Sequence, residues 1–266
     1  MVLDPGSFDR PACAVLRQIA QWHLRLMLRA YLLVYPFLVV YVTLATLIGV
    51  PITWIIRDIR LLYWLSRTGV RIALWLSGVR IEQIHPERAT QYPTCVFVSN
   101  HVSNLDPAAL FRTLPRITVV LKESLGKIPF LGYVMRLGGF IYVDRQNRNS
   151  RRHAVEASVA ALRSGVSLLI FPEGTRSPDG NLLPFRPGPF SMAIEAKTPV
   201  VPVTMHGTRE LMPKGKAAIK PGTIRLWFHP PIETQDMTAD DRASLMQQVR
   251  GVMEAALSNE QNGPNG

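Results

Sequence analysis

His101 and Asp106 stand just beyond the apolar run Val96-Phe97-Val98, in the stretch Ser99-Asn100-His101-Val102-Ser103-Asn104-Leu105-Asp106-Pro107. Catalytic groups tend to occupy such loops. A strand over Cys95–Ser99 would deliver His101 into a loop, and Asp106-Pro107 reads as a helix start, with Asp at the N-cap and Pro at the first helical position. Across that turn a carboxylate can accept from one imidazole nitrogen and fix the tautomer, so that the other nitrogen takes a proton from a hydroxyl. A plainer reading fits the same residues: Asp106 only caps a helix and His101 only bonds a backbone carbonyl. This segment alone does not choose between them. Ser103 invites a third idea, a covalent acyl-enzyme, but the G-x-S-x-G elbow is missing and structural bonding within the loop is the better expectation.

Further along, Arg145 follows the alternating run Phe140–Val143, and Arg176 sits in a glycine-containing turn after Val166–Phe171. Both can project from one edge of a sheet. Two guanidinium forks there would match phosphate oxygens, and Gly174 would let backbone N–H groups approach an anion closely. The competing reading pairs Arg145 with Asp144 and Arg176 with Asp179 as surface salt bridges contributing about 0–1 kcal/mol each. Glu173 fits a metal ligand, a second base or a loop carboxylate neutralising Arg176. Thr175 and Ser177 are hydroxyls for substrate or for tying the turn, and His206 and His229 read as structural.

Taken together, Asn100-His101-x-Ser103-x-x-Asp106, Gly139-x-Ile141-x-x-x-Arg145, Phe171-Pro172-Glu173-Gly174-Thr175-Arg176 and Val201-Pro202-Val203 resemble the four blocks of the glycerolipid acyltransferases. The likeness is nearest to the bacterial 1-acyl-glycerol-3-phosphate acyltransferases, and it spans roughly Pro93 to Phe228. It implies transfer of an acyl group from acyl-CoA or acyl-carrier protein to the 2-hydroxyl of a lysophosphatidate, giving phosphatidic acid for phospholipid biosynthesis. In that scheme His101 is the general base and Asp106 its partner. Arg145 and Arg176 hold the phosphate, with Gly174 and Thr175 in the same loop, and Glu173 binds substrate or shapes the site. Lys122, in a segment that also resembles the family's, adds positive charge. No cofactor and no metal are implied. The implied location is the inner, cytoplasmic membrane of the cell, with the active site facing the cytoplasm. Alternatives are an acyltransferase for another lysolipid, such as a lyso-ornithine lipid, a non-catalytic membrane lipid-binding protein, and a metal-dependent phosphoesterase using His101, Asp106 and Glu173.

What must position these residues is a chain of 266 residues, long enough for a large domain with an appendage. Its formal net charge of +11 predicts attraction to anionic partners. A mean hydropathy of +0.11, with arginines scattered through apolar sequence, points to an anionic membrane surface and away from nucleic acid. Cys13 and Cys95 show no C-x-x-C or Cys/His metal spacing and imply no disulfide framework.

Met1 to Pro11 reads as a loose start, followed by an amphipathic stretch over Ala14–Arg29. From Ala30 to Ile56 there is no charged residue, and each one at the centre of a span would cost about 2.5–3.5 kcal/mol. The run is long enough to cross about 30 Å of hydrocarbon. Pro36 and Pro51 leave open a kinked span, a re-entrant hairpin or a helix lying in one leaflet. Arg57 to Arg80 interleaves Arg57, Arg60, Arg67 and Arg71 with Leu61, Trp64, Leu65, Ile72, Trp75 and Leu76, the composition of an interfacial helix. Arginines on both sides of the apolar run favour a hairpin or monotopic mode over a crossing.

Beyond Val79 the pattern alternates. Strands are expected at Cys95–Ser99, Ile117–Leu121, Phe140–Val143, Val166–Phe171, Val200–Thr204 and Ile224–Phe228, with a helix over Arg151–Ser164 and a terminal amphipathic helix over Thr238–Leu257. The fold class is therefore α/β: a mixed, largely parallel sheet flanked by helices and preceded by N-terminal membrane-associated helices. The expected domains are 1–78, helical and membrane-associated; 79–258, the α/β acyltransferase domain; and 259–266, a disordered tail.

Overall fold

The computed structural model describes Gln21 and residues 24–261. The loose start, most of the Ala14–Arg29 stretch and the tail beyond Gln261 lie outside the described residues.

The uncharged run forms one long helix, α1 (Leu24–Ile56). Pro36 does not break it. A π-helical stretch at Ala30–Val34 absorbs the ladder bond that Pro36 cannot make, a recognised way for a helix to pass such a residue. Pro51 lies inside the helix without ending it. The chain turns at Arg57, whose backbone is left-handed, and returns as α2 (Arg60–Leu76) packed against α1. Gly69 makes the close approach possible: a Cβ there would lie 2.5 Å from the Tyr41 ring, and the Tyr41 hydroxyl donates to the Leu65 carbonyl at 2.8 Å. The outer side of α1 stays bare, with Val39, Leu44, Leu47, Ile48, Trp54 and Ile55 all more than half exposed.

The sheet has seven strands: β1 (Val79–Ile84), β2 (Val96–Ser99), β3 (Ile117–Lys122), β4 (Ile141–Val143), β5 (Ser167–Ile170), β6 (Val200–His206) and β7 (Gly222–Phe228). Their order is β1-β7-β6-β2-β5-β3-β4, and all neighbours are parallel except β6 and β7. β1 is an addition to the expected set. Its alternation fails at Gln83, which is why a half-buried edge strand is hard to read from sequence. Between the strands run α3 (Leu105–Thr113), α4 (Leu131–Leu137), α5 (Arg148–Arg163), α6 (Gly188–Ala196) and the single turn α7 (Thr208–Leu211), and α8 (Arg242–Gln261) closes the fold. α8 continues three residues past the expected boundary at 258.

The two-residue period of β2 divides the core. Phe97 packs with Leu105, Ala109 and Leu110 of α3, whereas Val96 and Val98 pack with Val159 of α5, Ala193 of α6 and Leu245 of α8. β2 is thus covered on both faces, as parallel strands require. β3 and β5 lie to one side of it and β6 to the other. The carboxyl ends of all these strands share one edge, where the order reverses around β2, and α/β folds bind ligands at such an edge.

Candidate active site

His101 leaves the carboxyl end of β2, and Asp106 answers it from the first turn of α3. His101 Nδ1 lies 2.8 Å from Asp106 Oδ2. The same oxygen accepts the backbone N–H groups of Val102 at 2.6 Å and Ser103 at 2.7 Å. Asp106 is fully buried while the His101 side chain is 18% exposed. The helix begins differently from the expectation: Asn104 is the N-cap and Leu105 opens the helix, so Asp106 is not the cap and Pro107 is not the first helical residue. The carboxylate folds back onto the preceding loop, and that brings it to the imidazole.

The loop is held from every side. The His101 N–H donates to Glu173 Oε1 at 2.8 Å, and the Ser177 N–H donates to the His101 carbonyl at 2.8 Å. Ser103 is fully buried; its hydroxyl donates to Met212 O at 2.7 Å and accepts from Leu105 N–H, so it is tied into structure and has no geometry for attack. Asn100 bonds both backbone groups of Met205 on β6. The Phe171 ring stacks on His101 at 4.2 Å between centroids. With Nδ1 on Asp106, the arrangement leaves Nε2 to meet a substrate proton. Such immobilisation is what a positioned base needs.

Glu173 lies in the loop after β5, 3% exposed. Its second oxygen accepts the Leu183 N–H at 3.0 Å. Burial pushes its pKa up against the pull of these two donors. Both oxygens are engaged by backbone, so Glu173 acts here by joining the His101 loop to residue 183. Gly174 adopts a left-handed backbone, and its carbonyl accepts from the Arg145 guanidinium, which brings the β4 and β5 loops together. Arg176 lies two residues on, and its Nη1 is buried with no hydrogen-bond partner. A buried donor of that kind normally has one. The alternative ion pairs are not made: Asp179 is held by Ser177 and Asn181, and Asp144 accepts the Gln146 N–H. Thr175 is exposed in the same turn, and Lys122 ends β3, exposed and in register with Val143.

Two cations were not singled out in the sequence. Arg186 packs over Gly174, where a Cβ would fall 2.5 Å from its Nε. Burial first, and then Arg186, hold the Arg145 pKa below its usual value. Lys214 donates to the Arg176 carbonyl at 3.0 Å. Both lie in irregular segments with no periodicity to mark them; the only local signal for Arg186 is its place before Pro187-Gly188 at a helix start.

An apolar cavity of about 480 Å³ opens beside this site, a size typical of ligand pockets. Tyr41, Val42 and Ala45 of α1, Leu62 and Val70 of α2, Phe111 of α3 and Met135 of α4 line it. So do Asn104 and Pro107, which flank Asp106. The sequence had no signal for this cavity, because its walls come from four helices and from Val119 and Leu121 of β3, segments that only the fold brings together.

Two other titratable groups are structural. Cys95 is buried, and burial pushes its thiol up to about 12, which leaves it unreactive. His229 Nε2 lies 3.0 Å from Thr204 Oγ1, and burial lowers its pKa to about 4. The fold therefore holds His229 neutral while the unfolded chain protonates it near pH 6.5. Its contribution is fully present above pH 6.5 and is lost as pH falls toward 4, by up to about 3 kcal/mol. His229→Gln is expected to flatten that part of the stability curve, read from urea midpoints across the pH range.

Comparison with known proteins finds similarity in both sequence and fold. A family model described as Acyltransferase matches residues 80–206. The 1-acyl-sn-glycerol-3-phosphate acyltransferase of Borreliella burgdorferi is 29% identical over 192 residues, covering 72% of this chain and 77% of that protein. The human 1-acyl-sn-glycerol-3-phosphate acyltransferase beta is 34% identical over 180 residues, 66% of this chain and 64% of its own length. The crystal structure of the 1-acyl-sn-glycerophosphate acyltransferase of Thermotoga maritima shares the fold, with a TM-score of 0.76 at 23% identity over 88% of this chain and 97% of that one. The histidine and aspartate in contact at the end of β2 lie inside residues 80–206, the part of the chain that matches the Acyltransferase family model.

Proposed function

We propose that the protein transfers an acyl group from acyl-CoA or acyl-carrier protein to the 2-hydroxyl of 1-acyl-glycerol-3-phosphate, forming phosphatidic acid in phospholipid biosynthesis. The observation that carries this reading is the His101–Asp106 pair at the sheet edge where the Arg145 and Arg176 loops also end. His101 Nε2 takes the proton as the 2-hydroxyl oxygen attacks the thioester carbonyl, and Asp106 stabilises the imidazolium that forms. The thiol leaves with a proton returned from His101. Arg145 and Arg176, with Arg186 and Lys214 beside them, grip the acceptor phosphate, and the cavity holds an acyl chain.

Residues 1–78 would serve as the membrane-associated part, residues 79–258 as the catalytic domain and the residues that follow as a tail. The bare apolar side of α1 supports this division: only 22% of its most apolar window is buried, unlike the core helix of a soluble protein. Attachment at the cytoplasmic face of the inner membrane puts the site where both acyl donors are found.

If the arginines hold phosphate, Arg145→Ala or Arg176→Ala should raise the acceptor KM while leaving the donor KM largely unchanged. Some loss of kcat should follow, since remote binding energy positions the hydroxyl. Lys should rescue only in part, lacking the bidentate fork. An acceptor without phosphate is the control: wild type should use it poorly, and the variants should lose little more on it. Equal losses on both acceptors would assign these arginines to folding or to the donor.

The cavity gives a separate expectation. Ala45→Phe fills its α1 wall and should shift donor use toward shorter acyl chains, measured by competition between long- and medium-chain donors. An unchanged chain-length profile in folded protein would remove the acyl chain from this cavity.

A further inference from the structure

A second pocket lies on the other side of α2, and the chemistry above does not use it. It has a volume of about 340 Å³ and is lined by Trp64, Arg67, Thr68 and Arg71 of α2, Gln83 of β1, and Arg112 at the end of α3. Arg67 is anchored. Its guanidinium donates to the Arg112 carbonyl at 3.1 Å and to the Leu114 carbonyl, capping the C-terminal end of α3, and it lies over the Tyr63 ring. Burial, and then the like charges of Arg71 and Arg67, hold Arg112 below its ordinary pKa, so Arg112 lies within the field of the other two guanidiniums. Among the described residues no carboxylate forms an ion pair with any of them. Glu82 of β1 points to the opposite face of the strand and bonds Arg225 at 3.2 Å.

Three converging cations without a counter-charge repel one another, and an anion entering the pocket relieves that repulsion. Guanidinium forks with a hydroxyl and an amide beside them suit phosphate oxygens. The setting selects the source of the phosphate. Trp64, Thr68, Arg71 and Trp75 recur at the spacing of one helical face, and the two tryptophans are 62% and 73% exposed. Exposed tryptophans of this kind settle at headgroup depth in a bilayer, with arginines reaching for phosphates alongside.

We infer that the pocket formed by Arg71, Arg112 and Arg67 binds the phosphate of an anionic phospholipid headgroup as a site separate from the acceptor phosphate clamp. The separation follows from α3, which carries Asp106 in its first turn and Arg112 in its last, about 9 Å further along its axis at 1.5 Å per residue. A lipid seated there would fix how the helical pair sits on the surface and so how the cavity beside it meets the bilayer. This rests on the membrane attachment proposed above, and the test separates the two.

The experiment is co-sedimentation of the full-length protein with phosphatidylcholine vesicles, with and without phosphatidylglycerol. Wild type should bind both kinds and gain affinity from phosphatidylglycerol. R71Q/R112Q should keep its binding to neutral vesicles and lose about tenfold or more of that gain, the scale expected for two basic residues at an anionic surface. R71K/R112K should recover part of it. R57Q/R60Q removes the same formal charge from Arg57 in the turn after α1 and Arg60 at the exposed start of α2 and should lose clearly less. Thermal unfolding and circular dichroism establish that each variant is folded. Equal losses in the two glutamine variants would mean a diffuse field and overturn the site. Wild-type binding that does not respond to phosphatidylglycerol overturns it as well, with membrane attachment intact, whereas failure to bind either vesicle overturns the attachment. In calorimetry, inorganic phosphate that bound wild type and not R71Q/R112Q, without any phosphatidylglycerol gain, would assign the pocket to a soluble phosphate and contradict the lipid assignment.

Discussion

His101→Ala is expected to lower turnover by about 10²–10⁴-fold, the range over which a positioned base acts, with a small effect on folding. The ring is partly exposed, and among the described residues it hydrogen-bonds to Asp106 alone. What the substitution removes from the fold is that bond and the stack on Phe171, while the loop keeps its ties through the His101 N–H and carbonyl to Glu173 and Ser177. Turnover and thermal unfolding should therefore separate. Folded H101A with unchanged turnover would remove the base assignment.

Asp106→Asn is expected to be nearly as damaging, on the order of 10²–10⁴-fold in turnover, through loss of the charge that supports the imidazolium. Asparagine is the cleaner probe. Alanine would strand the buried N–H groups of Val102 and Ser103, whereas an amide oxygen can still accept both. The amide nitrogen would take the place of Oδ1, which is buried and has no partner, so a stability loss of about 1–3 kcal/mol should accompany the change. Because the two residues act as a unit, H101A/D106N should be little worse than H101A alone. Multiplying losses in the double variant would mean that Asp106 works independently of His101.

Much of this was legible in the chain because the relevant signals are local. The β-rich run before His101, the alternation before Arg145 and the glycine-containing turn after Phe171 each place a side chain at a strand end, and parallel topology then gathers those ends at one edge. Where the reading differed, the deciding contacts were not local. Asp106 looked like a cap because Asp-Pro at a helix start usually is one; its carboxylate instead satisfies the N–H groups of the preceding loop. Glu173 left three roles open, and the backbone of Leu183, ten residues away, engages its second oxygen. β1 was obscured by Gln83, on the strand face that borders the arginine pocket. The cavity arises only when α1 and α2 fold back on each other and meet α3, a packing that depends on glycines such as Gly69, and the arginine pocket arises only where α2 meets β1 and the end of α3; no repeating pattern marks either.

The most direct test of the central claim is the initial rate at which purified full-length protein transfers a labelled acyl group from its thioester to 1-acyl-glycerol-3-phosphate, measured beside the same acceptor without its phosphate. The account predicts labelled phosphatidic acid as the product, a much slower reaction with the phosphate-free acceptor, and loss of the signal in folded H101A. Equal rates on the two acceptors, or labelled phosphatidic acid formed as fast by H101A, would contradict it.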